Sequence, residues 1–354
     1  MKILDRYIGS YVAWGSAISL MVFVGLFSLM EFVEDLDSVG KGNYTVLRSI
    51  EYMLLTLPRK MYQMFPMAAL VGSLLGLGLL TSNRELVVIR ASGVSLLRII
   101  AAVMKVGAVL MFIVMFIGEV VAPACEQFGK ARRALALSDQ VALRAAEGLW
   151  IRDGTSFINI REVLPEDQMA DIFIYEFDAN KKLRVATYAA HAYYDADDWR
   201  LADIEQSLIN EESIERRQLR RATWSSVFEP DLVNVITVRP DSLSAIGLLR
   251  YLKYLELNGL STSRYELALW GKVMLPLATG VMIFLAVPLV LGRLRTVGIG
   301  QRMVVGILVG ILYHVAQQTA VQMGIVYGLT PFASAAFPTL LFFVVGVILL
   351  RQVK

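Results

Sequence analysis

Few residues of this chain could do chemistry. Lys105, Glu119 and His314 lie in long apolar runs, where an ionisable side chain is costly and by default marks an ion or proton path. Lys105 stands about seven residues into its run and can snorkel to the interface. Glu119 is within a turn of an outer edge, just before Pro123. Only His314 is deep, and a polar contact between helices is the commoner fate of such a residue. No pair of interrupted helices in matching halves accompanies these groups, so an ion-coupled transporter is the lesser reading. A second polar group, Arg84, Glu85 and Arg90, sits in the short segment 81–93 between two apolar runs. It reads as an amphipathic helix over about 82–92, capped by Ser82 or Asn83 and stopped by Gly93. Leu86, Val87 and Ile89 fall at helical spacing on it.

No Gly-rich phosphate loop leads into Lys-Ser/Thr, and neither His-Glu-x-x-His nor Gly-x-Ser-x-Gly occurs. Gly76 and Gly78 fall inside an apolar helix, where packing explains them. The chain is therefore not expected to be an enzyme. Uphill transport would draw on an ion gradient or on another protein.

Composition sets the class of molecule. Hydrophobic residues make up 56% and charged residues 18%, and the mean hydropathy is +0.57. This is too apolar for an ordinary soluble domain of 354 residues. A formal charge of +3 is too small to suggest nucleic acid as a partner. The single cysteine, Cys125, excludes an internal disulfide and a Cys-based metal centre. His191 and His314 lie in regions of different character, so no metal site is expected. The first apolar run is too long for a signal peptide and lacks a cleavage site, so it reads as an anchor.

The elements that position these residues follow from the apolar runs. The first span, Tyr7–Met30, is long enough for a hydrocarbon core of roughly 30 Å. Glu31, Glu34, Asp35 and Asp37 follow it, then a turn at 40–43. Residues 44–60 read as an amphipathic helix broken at Pro58, before a second span, Met61–Leu80, whose small residues allow close helix approach. A third span covers about 94–122. Between Cys125 and Asn258 no run can span a bilayer. Glu126–Leu137 reads as a helical extension, and Leu149–Ile160, Asp171–Phe177 and Trp199–Ile209 as strands. Turn signals lie at Asp153-Gly154, 178–181 and 195–198, and Ser244–Leu257 reads as a helix leading back to the membrane. Trp150, Phe157, Ile172, Ile174, Trp199 and Trp224 are candidates for an apolar interior, and His191 for the surface. Spans Val273–Leu291, Met303–Val326 and Phe332–Leu350 complete the chain.

The expected fold is an α-helical polytopic membrane protein with six transmembrane helices and an inserted extracytoplasmic all-β, jelly-roll-like domain. Its parts are 1–124, 125–258 and 259–354. Basic residues crowd the segments on one side: Lys2, Arg6, Arg84, Arg90, Arg98, Arg293, Arg295, Arg302, Arg351 and Lys354, against Asp5 and Glu85. The positive-inside rule puts these segments and both termini in the cytoplasm, and the β-domain outside.

Several motifs together resemble one family. They are Leu4-Asp-Arg-Tyr-Ile-Gly9, Phe65-Pro-Met-Ala-Ala-Leu70, Arg84-Glu-Leu-Val-Val88 with Ala91-Ser-Gly93, Gly118-Glu-Val-Val-Ala-Pro123, and Arg264-Tyr-Glu-Leu-Ala-Leu-Trp270. The chain resembles the lipopolysaccharide export permeases of the LptF/LptG family. The Leu-Asp-Arg-Tyr start and the Arg-Tyr before the fourth span favour its LptG branch.

The resemblance implies an inner-membrane permease that extracts lipopolysaccharide and passes it to a periplasmic β-jelly-roll bridge. The implied partners are an LptF-like permease, an LptB-like ATPase dimer carrying ATP and Mg, an LptC-like jelly-roll protein with one transmembrane helix, and an LptA-like bridge. It makes segment 81–93 the coupling helix, with Arg84, Glu85, Leu86 and Arg90 at the ATPase. It assigns Arg59, Lys60, Lys130, Arg133 and Lys41 to substrate phosphates. Leu20, Phe23, Phe27 and Met30 become acyl contacts at a lateral gate. No cofactor or metal is implied in this chain. One departure stands out: where relatives carry lysines after the first span, this chain has Glu31, Asp37 and Ser38. A transmitter that anchors a periplasmic partner without transport is the other alternative.

Overall fold

The computed structural model describes residues 3–137, 149–153, 155–164, 168–178, 182–195, 198–209, 213–224, 240, 243–292 and 297–353. The Gly154 turn, parts of the turns at 178–181 and 195–198, and Lys2, Arg293, Arg295 and Lys354 lie outside the described residues. Among the described residues, six helices are long and apolar enough to cross a membrane.

Helix α1 (Ile3–Asp35) leads through a short 3-10 turn, Leu36–Ser38, to α2 (Val46–Ser82). The expected break at Pro58 does not occur, for α2 runs unbroken through both Pro58 and Pro66. An internal proline removes one helical hydrogen bond. The adjoining turns are held by α1, by α5 (Ala122–Ala136) and by α7 (Ser263–Leu291), so the helix persists through it.

Alpha-helical packing of α1 on α2 is backbone to backbone. A Cβ on Gly15 would collide with the Gly72 carbonyl, one on Gly72 with the Ser16 backbone, and one on Gly76 with the Tyr11 carbonyl. Small residues permit this approach, and close packing is what drives helix association where lipid is as apolar as leucine. The short helix α3 (Glu85–Ala91) turns the chain into α4 (Leu96–Phe116). A π-helical turn, Ile117–Val121, then carries α4 into α5. After the β-domain come α6 (Ala245–Leu257), α7, α8 (Ile299–Tyr327) and α9 (Pro331–Gln352). One apolar core gathers Ile8, Val12, Leu70, Leu74, Leu77, Ile99, Met282 and Phe342 from these helices.

Among the described residues, the inserted domain forms a six-stranded antiparallel sheet in sequential order. Its strands are β1 (Leu149–Asp153), β2 (Ser156–Leu164), β3 (Gln168–Phe177), β4 (Leu183–Asp195), β5 (Asp198–Ile209) and β6 (Ile214–Trp224). Asp171 and Asp203 have left-handed φ values of 52° and 53°. The pairings Ile172 with Ala189 and Ala189 with Ile204 put both in one row across the sheet.

At that row the alternation slips by one, from Trp199 and Leu201 to Ile204 on β5, and from Ala189 to Ala192 on β4. A period-two strand would otherwise send one half of its apolar residues to the wrong side. The crease lets both halves reach one cluster, joined by Tyr251, Tyr254 and Leu255 of α6. Ile172, Ile174 and Trp199 are buried there as expected. Trp150 is instead 56% exposed and Phe157 39%, with Trp150 stacked on Tyr175 at 5.9 Å on the other face. His191 is exposed.

Candidate functional site

The polar segment after α2 is built by a strained turn. Arg84, not Ser82 or Asn83, occupies the position before α3, with a left-handed φ of 63° and no side-chain cap. Ser82 still belongs to α2. A non-glycine residue held in this region costs on the order of 1 kcal/mol and persists only when its surroundings fix it. Leu86 supplies the fixing. It is 2% exposed and joins the helical core, so it anchors α3. Val87 and Val88 are exposed at 40% and 66%, while Glu85 and Arg90 are half-buried. Gly93 ends the segment at φ 90°, where a left-handed residue favours glycine. Glu85 Oε2 accepts the Tyr7 hydroxyl at 2.7 Å, and its Oε1 accepts Asn83 Nδ2 at 3.3 Å.

The cations assigned to phosphate come together where α1 ends, α2 begins and α5 lies across them. Each meets a carboxylate of this chain, Lys41 excepted. Arg59 and Lys130 share Glu126 at 2.5 and 2.7 Å. Lys60 pairs with Glu31 at 2.6 Å and donates to Ser28 Oγ at 3.4 Å. Arg133 pairs with Asp35 at 2.6 Å and lies over the Tyr52 ring at 5.0 Å. Arg132 pairs with Glu51. Lys41 lies exposed in a turn whose Asn43 amide donates to the Ala136 carbonyl at the end of α5. Beside Arg133 a cavity of about 220 Å³ is lined by Tyr44, Arg48, Tyr52 and Arg132. Glu31 and Asp35, just after the first span, thus act as counter-ions to Lys60 and Arg133.

The apolar residues of α1 divide. Leu20 and Phe23 are each 8% exposed and belong to the core. They continue the buried row Ile8, Val12, Gly15, Ser16 and Ser19 that packs inward. Phe27 and Met30 remain exposed, with Trp14, Ile18, Met21 and Leu26.

The intramembrane ionisable groups have structural partners. Lys105 Nζ meets Asp5 Oδ2 at 2.5 Å. Glu119, on the π-helical turn, accepts Lys272 Nζ at 3.0 Å and the Ala245 amide at the start of α6 at 2.6 Å. His314 sits midway along α8, on its exposed side, 3.2 Å from Gln318 Nε2. A second cavity of about 360 Å³ lies between α2, α7 and α8, where Arg59, Tyr62, Arg264, Lys272 and Gln317 line it.

Sequence reasoning missed Asp35, Glu126, Tyr7, Lys272 and Arg302 as members of these networks. Arg302 is 2% exposed and donates to the Gly78 carbonyl at 2.8 Å, pinning α8 to the last turns of α2. A carboxylate inside or beside an apolar run is the available signal, since it demands a partner. The partner's address is not written locally.

A family described as "Lipopolysaccharide export system permease LptF/LptG" matches residues 6–352. The lipopolysaccharide export system permease protein LptG of Escherichia coli (strain K12) is 38% identical over 353 residues, covering 99% of this chain and 98% of its own length. The LptG protein of Haemophilus influenzae (strain ATCC 51907 / DSM 11121 / KW20 / Rd) is 38% identical over 343 residues, or 96% of each chain. With six spans, an inserted β-domain and a match from one end to the other, this chain belongs to the LptF/LptG family of lipopolysaccharide export system permeases.

Proposed function

We propose that this chain is an LptG-type permease subunit that lifts lipopolysaccharide out of the bacterial inner membrane toward a periplasmic β-jelly-roll bridge. The observation that carries the reading is the family match over residues 6–352. The work is done by a separate LptB-like ATPase pair, which binds ATP and Mg. An LptF-like permease completes the cavity, while LptC-like and LptA-like proteins receive the lipid. Both termini and α3 face the cytoplasm in this reading, and the sheet faces the periplasm, a placement that the distribution of arginine and lysine supports.

The exposed Val87 and Val88 and the half-buried Glu85 form the ATPase contact. A short helix anchored by Leu86 between two spans converts displacement at its outer face into movement of α2 and α4. The exposed faces of α1 and α8 are the surfaces available to the partner permease and to acyl chains. Lipid phosphates reach Arg59, Lys60, Lys130 and Arg133 by competing with Glu31, Asp35 and Glu126, or through divalent cations shared with them. Paired cations bind phosphate less strongly than bare ones, which suits a cavity that must also release its cargo.

Purification in mild detergent followed by mass spectrometry tests this. The chain should retain an ATPase, a second permease and lipopolysaccharide. Glu85→Ala and the charge-reversing Glu85→Lys should lose the ATPase while keeping the second permease. A chain that moves lipid from the bilayer with no ATPase present would overturn the reading.

A further inference from the structure

Two polar side chains of the motif Leu4-Asp-Arg-Tyr-Ile-Gly9 tie the first turns of α1 to neighbouring helices. Asp5 is 1% exposed and ties the first turn of α1 to α4 through Lys105 at 2.5 Å and Arg98 at 3.5 Å. Two residues on, the Tyr7 hydroxyl donates to Glu85 on α3 at 2.7 Å. Ile8 and Val12 are fully buried, and the Tyr11 carbonyl abuts Gly76 on α2, so the backbone that carries Tyr7 is fixed. The Tyr11 ring meets the Tyr7 ring edge-on at 5.2 Å and limits its swing. With Asn83 on the other oxygen, both carboxylate oxygens of Glu85 have a donor from this chain.

We infer that Tyr7 is a positioning residue for Glu85. It holds the carboxylate of α3 in one orientation before the ATPase arrives, and makes α1 the third helix to feel a displacement of α3. The inference rests on the reading of Glu85 as the ATPase contact. A glutamate side chain free in water loses rotamer freedom on docking, and a two-torsion phenol on a fixed helix removes part of that loss in advance. A hydrogen bond to an ionised acceptor is also stronger than one between neutral groups.

The test is a double-mutant cycle on the permease complex in mild detergent, titrated with the purified ATPase subunit. The wild type, Tyr7→Phe, Glu85→Gln and the double variant are compared, with unfolding midpoints as controls. Tyr7 is 41% exposed and Phe keeps the ring, so folding should hold. Tyr7→Phe should weaken ATPase binding by about tenfold and add no loss in the Glu85→Gln background. Wild-type affinity for Tyr7→Phe, or losses that simply add, would overturn the positioning role and leave the docking reading intact. Wild-type affinity for Glu85→Gln would instead sink the docking reading, and this inference with it.

Discussion

Arg133 on α5 and Asp35 at the end of α1 stand 98 positions apart and meet at 2.6 Å. Asp35 also accepts the hydroxyls of Tyr44 and Ser49, each at 2.5 Å. One buried carboxylate thus ties α1, the following turn, α2 and α5 together at the proposed cavity entrance.

Asp35→Asn should destabilise the protein. Breaking a buried pair by removing one partner costs about 3–5 kcal/mol, and the one-third exposure of Arg133 reduces this to about 2–3 kcal/mol. A fall of several degrees in the unfolding midpoint in detergent is expected. An unchanged midpoint would show that the pair contributes nothing.

The same carboxylate makes the turn at 39–44 sensitive to alkali. Burial first, then donation to Asp35, pushes the Tyr44 phenol from 10.0 up to about 12. A raised phenol pKa means that the folded state prefers the protonated form. Its contribution is complete below pH 10.0 and is lost as pH climbs through about 12. Protection of residues 39–44 against hydrogen exchange, taken relative to the base-catalysed rate of the unfolded peptide, should fall in that window, and Tyr44→Phe should abolish that fall.

Glu126 restrains two cations at once. Glu126→Gln should raise photocrosslinking of lipopolysaccharide at the cavity entrance by about two- to fivefold, the worth of a partly exposed ion pair. Lys130→Ala with Arg133→Ala should lower it. If neither change moves the crosslinking yield, these cations are not substrate contacts.

Gly72→Val should disrupt the α1–α2 pair. Any Cβ there meets the Ser16 backbone, and neither helix can retreat without opening the core at Ile8 and Val12. Overpacking of this kind costs about 3 kcal/mol or more. The variant should purify as aggregate or with a sharply lowered midpoint, whereas Gly25→Ala, which has open space around it, should behave as wild type.

Glu119→Ala should loosen the junction between the membrane helices and the β-domain. Lys272 is 9% exposed and would be left without this partner carboxylate, while the first amide of α6 would lose its acceptor. A cost of about 2–3 kcal/mol follows for a buried charge stripped of a partner. Limited proteolysis should then cut faster around residues 240–262 than in the wild type.

The six spans, the β-insert and the short helix near 82–92 were legible in the sequence because each is a local property. Hydropathy sums over a window, strand alternation over a few residues, and the arginine bias over neighbouring loops. Tertiary structure alone decided that Leu86 anchors while Val87 and Val88 face out, and that Leu20 and Phe23 turn inward while Phe27 and Met30 do not. Those outcomes depend on how far each helix is rotated about its axis against its neighbours, which no window of sequence records. It also decided the pairing of Asp5 with Lys105, Asp35 with Arg133 and Glu119 with Lys272. A buried charge announces that it needs a counter-charge, but which of the available opposites it meets is settled only when the glycine faces of α1 and α2 close and bring distant helices into register.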